Sequence, residues 1–125
     1  MNISKFTQKS VQAVQDLEKV AYEYGNQEVE QEHLLYALLT QEDSLILKLI
    51  EKMEINKDYF INTVKKALDA KVKVSGGDLR FGQYLNKSLV NAENEAKAMG
   101  DEYVSVEHLF LSLLTQPSPS MKKIF

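Results

Sequence analysis

The sequence predicts an all-α fold made of two pseudo-two-fold-related four-helix repeats, the second cut short at its C-terminus. Two observations carry this prediction. Residues from Phe6 to Gln41 match residues from Phe81 to Gln116 without a gap at an offset of 75, and each copy carries apolar residues at helical spacing, bounded by capping residues. The register pairs Gly25 with Gly100, Val29 with Val104, Glu32 with Glu107 and His33 with His108, and runs on through Leu38/Leu113, Leu39/Leu114, Thr40/Thr115 and Gln41/Gln116.

Repeat one is assigned to residues 1–70, and its first helix to about residues 5–24. Val14, Leu17, Ala21 and Tyr24 fall on one face, Thr7 suits the N-cap, and Gly25 suits the left-handed position that closes a helix. A second helix, 31–41, begins at Glu32-His33-Leu34-Leu35 and continues its apolar face through Leu38 and Leu39. A third, 44–54, carries Leu45, Ile46, Leu49, Ile50 and Met53. A fourth, 57–70, follows Asn56 and buries Phe60, Val64, Ala67 and Leu68.

Residues 71–80 form the connector. Gly76-Gly77 breaks helix there, and the Lys71-Val72-Lys73-Val74 alternation is read as irregular chain, so no sheet is expected. Repeat two, 81–125, starts with a helix over 82–99 whose face is Leu89, Ala92, Ala96 and Met99, ended by Gly100. The next helix, 105–115, is capped by Ser105. Beyond Gln116 the register places Met121, Ile124 and Phe125 on Ile46, Leu49 and Ile50, so a third helix begins and is cut short. This predicts that the sequence is a piece of a longer polypeptide.

Composition narrows the function. The chain has 125 residues, enough for one core, and no cysteine, which removes disulfides and thiolate metal sites and suits a reducing compartment. Its net charge of -3 would repel a phosphate backbone, so nucleic acid is not an expected partner. Lys65, Lys66, Lys71 and Lys73 are interrupted by Asp69 and gather around a helix end. No leader-like apolar run follows Met1 and no long apolar stretch exists, so neither membrane nor export is expected, and the cytoplasm is the expected location.

No G-x-x-x-x-G-K-[ST] phosphate loop is present, and Gly76-Gly77 lacks the lysine and helix a phosphate cradle needs. Neither histidine belongs to an H-E-x-x-H pair, so His33 and His108 are assigned to packing or helix-terminus roles. No nucleophile–base pair is evident, and the chain is read as non-enzymatic, with no catalytic residue, metal or cofactor of its own. Glu32 and Glu107 stand in the first turns of their helices, where carboxylates interact favourably with exposed amides. Val11, Val20, Tyr36, Tyr84 and Leu111 lie outside the core stripes and would suit transient contact with apolar segments if exposed.

Taken together, Phe6-Thr7, the Gly25/Gly100 turns and the Glu-His-Leu-Leu motif, which recurs as Glu107-His108-Leu109-Phe110, resemble the Clp N-terminal repeat family over nearly the whole chain. Within it, Gly76-Gly77-Asp78 and Phe81-Gly82-Gln83-Tyr84-Leu85-Asn86 look like the ClpB-type disaggregating chaperones. The resemblance implies a substrate-contacting domain that binds unfolded or aggregated polypeptide and passes it to a ring pore. Thr7, Asp101 and Glu107 would then rim a binding groove between the repeats. It further implies that the remainder of the protein carries ATP and magnesium sites, forms a hexamer and meets co-chaperones of the Hsp70 system, while the isolated domain is monomeric. The alternative is a ClpC-type domain that docks adaptors or phosphoarginine-marked substrates for a protease. Such domains repeat the Phe-Thr start, whereas Gly82 stands where the second threonine would be.

Overall fold

The computed structural model describes residues 3–74 and 76–125; Met1 and Asn2 of repeat one and Ser75 of the connector lie outside them. A 3-10 turn, Ile3–Lys5, leads into α1, Gln8–Glu23. Then come β1 (Glu28–Val29), α2 (Gln31–Leu39), α3 (Leu45–Lys52) and α4 (Lys57–Asp69). After the connector follow β2 (Arg80–Phe81), α5 (Gln83–Ala98), α6 (Val106–Thr115) and α7 (Pro119–Ile124).

The helix ends follow from the residues at them. Thr7 Oγ1 accepts the Ser10 amide at 3.2 Å and fixes the start of α1 at Gln8, later than the sequence suggests. Gly25 and Gly100 have φ of +69° and +74°. Each lets the next amide turn back into its helix, Asn26 N to Ala21 O at 2.9 Å and Asp101 N to Ala96 O at 2.8 Å. Ser44 and Asn56 cap α3 and α4 with their side chains, and Ser118 does the same for α7, one position before the equivalent of Ser44.

The expectation of no sheet is corrected in a small but informative way. Glu28–Val29 pairs in parallel with Arg80–Phe81, and Phe6 bridges Val104 in parallel. The offset of 75 converts Phe6 and Val104 into Phe81 and Val29, so these are one pairing repeated by the pseudo-two-fold. The entry of each repeat bonds to the interhelical turn of the other: Thr7 N to Val104 O at 3.0 Å, and Gly82 N to Val29 O at 2.8 Å. Helical periodicity does not report such two-residue pairings, because each joins segments some fifty residues or more apart. The Arg80 end of the connector is part of this pairing, while its middle is tied to the first repeat by Val74 N to Gly25 O at 2.9 Å.

Side chains from both repeats form one core. Leu17 and its equivalent Ala92 are both fully buried, as are Leu34 and Leu109, Leu38 and Leu113, and Ile46 and Met121. α1 packs on α2 as α5 packs on α6, and α2 also touches α5 and α6, so the repeats share their interior. Burying a leucine of this kind contributes about 1.5–3 kcal/mol. No helix among the described residues is long and apolar enough to cross a membrane.

Candidate functional site

Thr7 and Glu107 come together. They line a groove of about 440 Å³ at the N-termini of α1, α3 and α6, with Gln8, Lys9, Gln41, Asp43, Leu45, Ser105 and Val106 completing its wall. Leu45 is 42% exposed and Glu107 is exposed, so an apolar side chain and a carboxylate face the opening together. Lys9 is turned along the rim, its Nζ donating to Glu42 O at 2.7 Å, and Gln41 Nε2 donates to Lys9 O at 2.9 Å. Asp43, on the same wall, holds a left-handed backbone with φ of +53°, which turns α2 into α3.

Asp101 is not in the wall. It follows the Gly100 turn, and its carboxylate accepts Nε2–H of the buried His108 at 2.8 Å. Nδ1 of that ring accepts the Ser105 amide at 2.9 Å, which leaves the ring proton on Nε2. Asp101 therefore touches the groove only through His108, by steadying Ser105 at the start of α6. His33 does the same work in repeat one, accepting Glu30 N–H at 2.9 Å and facing Asn26 Oδ1 at 3.0 Å. Burial, reinforced by the nearby Lys71 ammonium, lowers His33 to a pKa of about 4 and keeps it neutral. Both histidines thus occupy the helix-terminus role their positions suggest.

The offset of 75 predicts a second groove on the other side of the pseudo-axis, built from Gly82, Gln83, Tyr84, Gln116, Ser118, Ser120 and the Glu30–Glu32 turn. Polar groups seal it. Gln31 is buried, donating from Nε2 to Ser88 Oγ at 2.7 Å and Gln116 O at 3.0 Å while its Oε1 accepts Ser118 N at 2.8 Å. Glu32, 1% exposed, accepts from Ser120 Oγ at 2.7 Å and pairs with Lys71 Nζ at 3.1 Å. Lys71 also reaches Glu30 at 2.5 Å. Burial works against that ammonium, but Glu30 and Glu32 outweigh it and raise Lys71 above its ordinary value.

Two substitutions explain why one groove is open. Val106 stands where Gln31 stands and cannot make its three hydrogen bonds, and Leu45 stands where Ser120 binds Glu32. Of this wall, Thr7 and Glu107 are expected from the family resemblance, whereas Leu45 and Asp43 are not. Helical spacing places Leu45 in the core stripe, but it lies at the flank of that stripe beside the fully buried Ile46 and stays exposed. Of the surplus apolar residues, Val20 belongs to the core, Val11, Tyr36 and Leu111 are half-buried, and Tyr84 is exposed.

The profile of the Clp repeat (R) N-terminal domain matches residues 5–125. The chain belongs to that family. The chaperone protein ClpB of Clostridium tetani is 40% identical over 129 residues, covering 99% of this chain and 15% of the relative. That of Nitratidesulfovibrio vulgaris is 38% identical over 126 residues, covering 97% and 15%. The chain thus spans about one seventh of the length of these relatives. The Hsp104 N-terminal domain of Candida albicans superimposes with a TM-score of 0.86 at 22% identity, over 97% of this chain and 79% of that one. This Clp repeat domain is therefore of the kind found in ClpB chaperones, and its fold is that of the Hsp104 N-terminal domain.

Proposed function

We propose that this Clp repeat domain contacts unfolded or aggregated polypeptide for an ATP-dependent disaggregase of the ClpB type, in the cytoplasm, and passes it to the pore of a hexameric ring. Nucleotide, magnesium, ring formation and any meeting with Hsp70 co-chaperones belong to the remainder of that protein. The observation that carries the reading is the open groove in which Thr7, Leu45 and Glu107 converge. A half-exposed leucine beside a carboxylate and backbone-linked polar groups fits weak, sequence-tolerant contact with extended chain. Asp101 enters as a positioning residue, through His108 and Ser105.

The ClpC-type alternative asks for two receptor sites of threonine and glutamate. Here the second site has Gly82 in place of threonine, and Glu32 of that same site is buried against Lys71 and Ser120. That arrangement favours a single open groove. The test uses the complete chaperone with Thr7→Ala, Glu107→Gln and both together. Reactivation of aggregated protein should fall further than the lost helix cap of Thr7→Ala explains, while basal ATP hydrolysis stays near that of the parent and Glu107→Gln leaves the melting temperature near it. Full reactivation by the double variant would overturn the reading.

A further inference from the structure

The sealed groove records, within the same molecule, what the open one is built to accept. Glu32 and Glu107 are equivalent under the repeat, each in the first turn of its helix. In the sealed copy the carboxylate holds the Lys71 ammonium at 3.1 Å, with Glu30 as a second carboxylate on the same nitrogen. In the open copy Glu107 makes no ion pair among the described residues, and Asp43 supplies a second carboxylate on the wall. The nearby cation, Lys9, is held on the Glu42 carbonyl. Beside these charges Leu45 offers the apolar surface that Ser120 lacks in the sealed copy.

We infer that the Thr7–Glu107 groove takes an extended polypeptide segment in which a lysine stands next to an aliphatic residue. The lysine ammonium sits on Glu107 in the way Lys71 sits on Glu32, and the aliphatic side chain covers Leu45. This rests on the client-binding reading above and specifies its substrate class. A carboxylate and a leucine side by side discriminate between segments: the leucine accepts any aliphatic residue, while the carboxylate disfavours a neighbouring acidic one and rewards an ammonium. Charge-assisted hydrogen bonding at a partly exposed site gives a modest preference, in keeping with clients that must be released.

The test titrates the isotopically labelled domain, followed by NMR, with an extended peptide of central lysine flanked by valines, and with copies carrying acetyl-lysine or glutamate at the centre. The lysine peptide should shift the amides of Leu45, Val106 and Glu107. Acetylation should weaken binding about threefold to tenfold, and glutamate should weaken it at least as much. Glu107→Gln should remove the difference between the lysine and acetyl-lysine peptides while leaving their shared apolar affinity. If all three peptides bind the groove equally well, the lysine preference is overturned and the client-binding reading stands. If no peptide, and no permanently unfolded protein, shifts the groove amides, both fail. The peptide comparison is made on the unaltered domain, so a folding defect in the variant cannot mask the outcome.

Discussion

The groove at Glu107 and the groove at Glu32 are built on one plan, repeated 75 residues apart, and differ in how their walls are filled. On one side Gln31, Ser88, Ser118 and Ser120 knit a hydrogen-bonded polar seam, and Lys71 pairs with the buried Glu32 and the half-buried Glu30. On the other, Val106, Ala13, Asp43 and Leu45 stand at the matching places, no seam forms, and the carboxylate is left facing water. A duplicated fold can thus devote one copy of a groove to holding its halves together and leave the other open to solvent. The chemistry responsible is the hydrogen-bonding capacity of a few side chains at positions the backbone treats alike.

The largest expected effect breaks the sealed side. Lys71→Met keeps the aliphatic stem but leaves Glu32 buried without its cation, and should cost about 3–5 kcal/mol in denaturant unfolding. The companion Glu107→Gln, at the equivalent position of the open side, should change stability by no more than about 0.5 kcal/mol. Equal losses would erase the distinction between the grooves.

A somewhat smaller effect comes from His33, whose surroundings include Asn26, Glu30, Glu32, Lys71 and Lys73. Its folded pKa of about 4 lies below the unfolded value of about 6.5, so the unfolded chain binds more protons between those limits. Stability should therefore be fully present above pH 6.5 and fall by about 3 kcal/mol as pH drops towards 4. His33→Gln should flatten that window, as read from melting temperature against pH. An unchanged slope would contradict the buried neutral ring.

Thr7→Ala tests the open side more gently. It removes the cap on α1 and should cost about 0.5–2 kcal/mol, with the helix retained by circular dichroism. If binding of unfolded protein then falls no further than stability explains, Thr7 acts through the helix end alone.

Most of the fold was legible because its repeat is written in residues with one dominant physical role. Gly25 and Gly100 end helices by adopting positive φ, and Leu17, Leu38 and Ile46 mark buried faces by spacing alone. The paired two-residue strands were not legible, since nothing local to Phe6 or Phe81 announces a bond to Val104 or Val29. Of the three residues that the family resemblance implies for a groove rim, Thr7 and Glu107 do line one groove. Asp101, expected on the same rim, lies outside that wall and bonds His108, because a turn residue's direction depends on the backbone around it. The sealing of the Glu32 groove was invisible from the repeat, which matches Glu32 with Glu107 while the deciding partners, Gln31 and Lys71, are not matched by it.

On the proposed function, client polypeptide should occupy the open groove and leave its sealed twin alone. Titration of the labelled domain with a reduced, carboxymethylated protein that cannot fold tests this most directly. Amide shifts are expected at Thr7, Leu45, Val106 and Glu107, with Gln31, Glu32, Gln83 and Ser120 unmoved. Shifts centred on the Glu32 side, or shared equally between the two grooves, would contradict it.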